Sequence, residues 1–246
     1  MAHSVLKGYK GRGIVLHTLK YGESSMVVHL LTDVAGRQSF IVQGVRSSRG
    51  RGSKAALFQP LFCVEFEGLC SSRGEMHRFR EVQSGILLRR TPFDVRRSTI
   101  ALFIAEVLYR LVKESGEHIE LFNFIWSSIE ALDTIEDGVA NFHLWFLANL
   151  SRQLGFMPSG EYSEGMWFNI IEGQFCNFYP SHGAVMQPPE AQLLYELIEC
   201  DVMSLGEIKL SRERRVAFLE ALLKYYGYHL DAIYSVQSIK ILQELF

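Results

Sequence analysis

The hydrophobic period of this chain changes at Thr91-Pro92, and that change constrains the fold more than any other feature. Upstream, apolar residues alternate with polar ones at the period of two that half-buried strands need. Gly13 to Leu19 reads as a first strand, and Tyr21 to Ser24 as a turn. Ser25 to Thr32 is a second strand, Asp33 to Gly36 a short turn, and Arg37 to Gln43 the returning strand of a hairpin. Phe58 to Phe66 predicts a fourth strand. Glu75 to Val82 predicts a fifth, with Met76, Arg78 and Arg80 on one face and His77, Phe79 and Glu81 on the other. Five strands in about 75 residues, with no long helix between them, predict a small closed barrel rather than a parallel sheet.

Downstream the period becomes helical. Ile100, Phe103, Ile104, Val107, Leu108 and Leu111 predict a helix within Asp94 to Lys113. Ile119, Phe122, Ile125, Trp126, Ile129 and Leu132 predict a second, after the breaker Ser115-Gly116. A third runs from Gly138 to Leu154 and stops at Gly155, with Pro158 beyond. Residues 159–188 are turn-rich and aromatic (Trp167, Phe168, Phe175, Phe178, Tyr179) and fit a small β-like insertion. Pro188-Pro189 opens a short helix to Cys200, Ser211 caps a longer one through Tyr226, and Asp231 to Phe246 reads as a last helix. The expected class is α+β, with a strand-built part over 1–88 and a helical part over 89–246.

Charge follows the same division. Residues 1–97 hold sixteen Lys and Arg against seven acids, net +9, and residues 98–246 hold nine against twenty, net −11. Such asymmetry suggests a polyanion partner for the first part; alternatively, the opposite charges dock two domains on each other. The apolar share of 48% is that of a chain with a real core. No apolar run approaches the ~20 residues of a membrane-spanning helix, since Glu106 interrupts the best. No secretory signal opens the chain. Cys63, Cys70, Cys176 and Cys200 form no C-x-x-C pair, so a reduced, cytoplasmic setting is expected.

The strongest chemical motif is the loop Gly44 to Lys54, where Arg46, Arg49, Arg51 and Lys54 stand among three glycines and three serines. Glycine lets backbone approach a phosphodiester, and the guanidinium fork matches phosphate oxygens. Beside strands carrying Phe40, Phe58 and Phe62, the loop could join phosphate contacts to base stacking. A solvated loop carrying charge for solubility is the plainer alternative. Gly8 to Gly13 resembles a phosphate-cradling loop, but it lacks the trailing Gly-Lys-Ser/Thr and precedes a strand, so it reads as a flexible lead-in. Arg89, Arg90, Arg96 and Arg97 either extend a nucleic-acid track or pair with the acidic helices. Lys209, Arg212, Arg214 and Arg215 read first as a solvated helix face, and second as a grip on an acidic, apolar-ended peptide.

Catalytic readings are weaker. His17, His29 and His143 read as structural histidines, and no nucleophile elbow or Ser–His–Asp order is visible. Glu161, Glu164, Cys176 and His182 lack zinc-site spacing. A non-enzymatic protein with no cofactor is expected.

Taken in order, Gly13-Ile14-Val15-Leu16, Tyr21-Gly22-Glu23-Ser24-Ser25, Leu31-Thr32, Gly36-Arg37, Gln43-Gly44-Val45-Arg46, Phe58-Gln59-Pro60-Leu61, Thr91-Pro92 and Leu154-Gly155-Phe156-Met157-Pro158 resemble the bacterial recombination-mediator family RecO. Leu222 to Tyr226 extends the likeness, which covers nearly the whole chain. The resemblance implies an oligonucleotide-binding (OB) barrel followed by a helical domain. It further implies binding of single- and double-stranded DNA, annealing of complementary strands, and action with RecR to help RecA displace single-strand-binding protein. The family also contacts the acidic C-terminal tail of that protein, which lends interest to Lys209, Arg212, Arg214 and Arg215. On this reading Arg37, Arg46, Arg49, Arg51, Lys54, Arg78 and Arg80 contact DNA, and the protein works in the cytoplasm, at the nucleoid during repair. Many family members carry a four-cysteine zinc site after the Leu-Gly-Phe-x-Pro segment. Here Glu161 and Glu164 stand near the first cysteine pair, so an insertion near 159–188 without zinc is expected, stabilised by its aromatic residues. An RNA- or ribosome-associated barrel protein with a helical docking domain is the alternative.

Overall fold

The computed structural model describes residues 7–44, 54–70, 76–112 and 118–245. Strands β1 (Lys7–Tyr21), β2 (Ser25–Thr32), β3 (Gly36–Val42), β4 (Cys63–Cys70) and β5 (Met76–Ser84) close a barrel in the order β1-β2-β3-β5-β4. Neighbours are antiparallel except β3 and β5, which run parallel through Ser39↔Met76, Phe40↔His77 and Ile41↔Arg78. Long β1 makes closure possible: its first half pairs with β4 and its second with β2. The α+β class and the five-stranded OB-type barrel hold.

Val15, Val28, Leu30, Phe40, Val42, Phe58, Val64 and Phe66 fill the barrel. Phe40 and Phe58 are therefore core residues, 0% and 2% exposed, and neither can stack on a nucleobase. The lead-in reading of Gly8 to Gly13 is also corrected, because the segment is paired strand. A Cβ on Gly13 would stand 2.8 Å from Leu30 Cδ1, and one on Gly11 3.1 Å from Val34 Cγ2, so glycine serves the bend of β1 across a crowded interior. The fourth strand starts later than its apolar run. Lys54–Phe58 is a 3-10 turn, and Leu61, after Pro60, takes φ 61° so that its N–H reaches Val15 O at 2.8 Å.

On β5 the expected alternation fails at a bulge. Pairing passes from Glu67↔Glu81 to Gly68↔Phe79, leaving Arg80 as the extra residue and turning Val82, rather than Glu81, toward the core. Part of the outer face of β1 and β2 is buried as well, with Ile14, Leu16 and Leu31 at 2% exposure or less. Parts of α1 (Val95–Leu111) and α2 (Ile119–Thr134) belong to the same compact unit, Met1–Phe93 with Ala101–Glu130. They lie on that face, where Tyr109 packs on His17 and His29 at 4.5 and 5.3 Å between ring centres.

The second compact unit, Asp94–Ile100 with Ala131–Phe246, holds α3 (Phe142–Gln153), α4 (Pro188–Glu199), α5 (Arg212–His229) and α6 (Ile239–Leu245). It also holds a small sheet of β6 (Trp167–Asn169), β7 (Gln174–Cys176) and β8 (Val185–Met186), in the order β7-β6-β8. Ser211 caps α5 as expected, accepting from Arg214 N. The last helix is broken: Asp231–Ser235 is a 3-10 turn, and α6 follows an extended Val236. In one continuous helix Ile233 and Leu242 would point in opposite directions, nine residues being about two and a half turns. The break lets both be buried, at 1% and 0%.

Candidate nucleic-acid interface

The cations of the first unit divide by what surrounds them. Arg78 and Arg80 project from the solvent side of β5, where polar residues alternate with the partly buried His77 and Phe79. Arg78 is exposed, with no side-chain partner among the described residues. Arg80 is held loosely: its Nη1 donates to Glu67 Oε1 at 2.9 Å while 65% of its side chain stays exposed. Lys10 and Lys20, on β1, are exposed too. Lys10 owes its place on the outer face to the pairing of Gly8 to Gly13 with β4, opposite Glu67, a pairing that a glycine-rich segment does not signal.

Arg37 and Arg12 have other employment. The Arg37 guanidinium donates from Nη1 to Tyr109 O at 3.0 Å and Val112 O at 3.2 Å, and lies 4.2 Å from the Tyr109 ring centre. It thus caps the C-terminal carbonyls of α1, where the helix dipole favours a cation. Arg12 donates from its backbone N and Nε to the two oxygens of Asp33, at 2.8 and 3.0 Å, and covers Phe122 and Trp126. Of the loop residues, Arg46, Arg49 and Arg51 lie outside the described residues, and Lys54 opens the 3-10 turn.

A groove of about 750 Å³ crosses the barrel between β1, β4, β5 and the β2–β3 turn. Lys10, Arg12 and Arg80 line it together with Asp33, Glu65, Glu67 and Glu81, beside Phe66 and Phe79. Tyr9 on β1 packs against the barrel core with its hydroxyl 2.7 Å from His77 Nδ1; burial, with the Cys70 thiol nearby, pushes the phenol up to about 12. Of the aromatic residues in the described barrel strands, Tyr21 alone is exposed.

Arg89, Arg90, Arg96 and Arg97 do not act as one group. Arg97 is 4% exposed and donates to Leu132 O and, at 2.6 Å, to Ile135 O, beyond the last turn of α2, while Arg89, Arg90 and Arg96 are exposed. In the second unit, Lys209, Arg212, Arg214 and Arg215 do not converge either. Lys209 donates to Gly206 O, Arg215 to Leu210 O at 2.7 Å, and Arg212 to Gln243 O and Glu244 O at 2.9 and 3.1 Å. Arg214 stays exposed on a groove that also carries Glu196, Glu199, Asp201 and Glu207.

The insertion is organised by rings. Phe168 is fully buried against Phe175 and Tyr225, at 5.2 and 5.1 Å, Trp167 meets Tyr179 edge-on at 5.0 Å, and Tyr162 stacks on Tyr195 at 4.6 Å. Among the described residues no three His, Cys, Asp or Glu side chains gather as metal ligands. His143 is buried, and burial followed by the nearby Arg215 cation lowers its imidazole to about 3. Among the described residues no helix is long and apolar enough to cross a membrane.

Comparison with known proteins bears on the whole chain. The family description Recombination protein O N terminal matches residues 6–88, and Recombination protein O C terminal matches residues 92–235. A DNA repair protein RecO of Phocaeicola vulgatus is 38% identical over 235 residues, 95% of this chain and 97% of that protein. A RecO of Bacteroides fragilis is 37% identical over 236 residues, with the same coverage. One of Flavobacterium psychrophilum is 32% identical over 237 residues, 96% and 98% of the two chains. With both halves matched in order and the barrel in place, the chain belongs to the RecO family of DNA repair proteins.

Proposed function

We propose that this protein is a non-enzymatic recombination mediator that holds DNA by its phosphates and leaves the bases free to pair. One observation carries the reading: the barrel turns its phenylalanines inward while Arg78, Arg80 and Lys10 face solvent. A surface with cations and few exposed rings binds backbone rather than stacking bases, unlike single-strand binders that sequester their strand on aromatic platforms. Two strands neutralised on such a surface repel each other less, which favours annealing. Arg46, Arg49, Arg51 and Lys54 of the loop would extend the same track, over single- or double-stranded DNA. The nucleic-acid part corresponds to residues 1–88 and the helical part, 89–246, docks partners: RecR, and through Lys209, Arg212, Arg214 and Arg215 the acidic tail of single-strand-binding protein, so that RecA gains the strand. No cofactor is required, and the setting is the cytoplasm, at the nucleoid during repair.

The test is annealing of complementary oligonucleotides, bare and coated with single-strand-binding protein. The protein is expected to raise the rate on both, with the effect shrinking steeply as salt rises. A rate on coated strands equal to the spontaneous one would overturn the mediator reading. Stronger competition by RNA than by DNA of the same length would point to an RNA-directed barrel instead.

A further inference from the structure

We infer that Glu67 is a built-in competitor for phosphate, holding Arg80 in the barrel groove and setting how tightly the groove takes a nucleic-acid backbone. The inference rests on the reading of Arg80 as a DNA contact and goes beyond it, since it concerns a residue of opposite charge.

The sheet pattern places the competitor. Glu67 lies on the solvent side of β4, opposite Lys10 on β1 and Glu81 on β5. Two carboxylates directly across a strand pair are disfavoured, and here Lys10 faces Glu67 from the other side. The bulge beside it makes Arg80 the unpaired residue of β5, and bulges re-aim side chains. Here the guanidinium meets Glu67 Oε1 at 2.9 Å.

Such a pair does little for stability. With Arg80 65% exposed and Glu67 21% exposed, water and salt screen most of the attraction. Its chemical consequence is larger. A carboxylate presents a guanidinium with the same planar acceptor edge as two phosphate oxygens. A phosphodiester entering the groove must take the N–H donors of Arg80 from Glu67 and approach that carboxylate as it does so. Arg12 in the same groove is less free to respond: its guanidinium donates one hydrogen bond to Asp33, lies 5.1 and 5.2 Å from the ring centres of Phe122 and Trp126, and is 39% exposed against 65% for Arg80. Arg80 is the groove's exchangeable guanidinium, and Glu67 is what it exchanges. A groove built so binds weakly and lets go, as a protein that passes strands onward requires.

The test is a cycle of full-length variants, E67Q, R80A and E67Q/R80A, with E81Q as a control for losing a neighbouring groove carboxylate that does not hold Arg80. Affinity for a fluorescein-labelled oligothymidylate is read by anisotropy. E67Q is expected to tighten binding roughly three- to tenfold, E81Q by about twofold or less, and R80A to weaken it. In the R80A background, E67Q should give no more than the E81Q effect. An E67Q gain equal to that of E81Q, or one undiminished without Arg80, overturns the competitor assignment and leaves the DNA reading intact. R80A binding as tightly as the unaltered protein removes Arg80 from the interface, and the competitor with it.

Discussion

Two sets of arginines come from similar sequence and end in opposite situations. Arg37, Arg97 and Arg212 each direct a guanidinium at carbonyl oxygens where a helix ends: α1, α2 and α6 respectively. Arg78 and Arg80 stand on β5 and face water. Helix C-termini leave carbonyls without partners and carry the negative end of the dipole, so a nearby arginine is drawn into the fold. A strand ladder has already paired its carbonyls and leaves an arginine on its outer face for other anions. Net charge cannot separate the two sets, and part of the +9 in residues 1–97 is consumed internally.

The sharpest way to break this contrast is through Arg97. Replacement by Leu leaves Leu132 O and Ile135 O buried without their donor, and Asp94 without the guanidinium 3.5 Å away. The expected loss is about 3 kcal/mol of unfolding free energy in urea, with DNA affinity unchanged. A loss below about 1 kcal/mol would mean that water can replace the cap. His143 sharpens the same point from the other side, since burial treats its two bases differently. An arginine cannot shed its proton, so the fold supplies carbonyls; a histidine sheds it. The unfolded chain takes up a proton on His143 below about 6.5, whereas the folded chain refuses it until about 3. Stability therefore falls as pH drops through that window, by up to about 1.4 kcal/mol per unit, and none of this loss is felt above pH ~7. The His143→Gln variant should lose that slope between pH ~6.5 and ~4.5; an unchanged slope would place the titration on another group.

The order of elements, the barrel and the switch to helices were legible because periodicity is a local property that burial enforces. What failed was everything requiring knowledge of a neighbour. Phe40 and Phe58 looked available for stacking because an aromatic on a strand has the same local signature on either face, and only closure decides which face is inside. The pairing of Gly8 to Gly13 was invisible because glycines read as slack, whereas here they admit Leu30 and Phe66. The helix-end partners of Arg37 are invisible to the sequence because they lie more than seventy residues away. For the exposure of Arg78 and Arg80, alternation suffices: their neighbours His77 and Phe79 are partly buried. The bulge that aims Arg80 at Glu67 has no sequence signal, because it depends on the register between β4 and β5.

The contrast itself is tested by exchanging readouts on Arg37 and Arg78, both assigned to DNA from sequence. Arg37→Ala should cost about 1–2 kcal/mol, because two carbonyls at the end of α1 lose a charged donor and Tyr109 loses its covering cation. Its DNA affinity should stay near that of the unaltered protein, measured at a temperature where both are folded. Arg78→Ala should change stability by no more than about 0.5 kcal/mol, as expected for an exposed side chain without a partner among the described residues. It should instead weaken DNA binding and flatten the plot of log affinity against log salt by about 0.7 on a single strand, one phosphate contact's worth. If Arg37→Ala flattens the salt plot and Arg78→Ala does not, the helix cap yields to phosphate, and the line between structural and functional arginines has been drawn on the wrong side of the barrel.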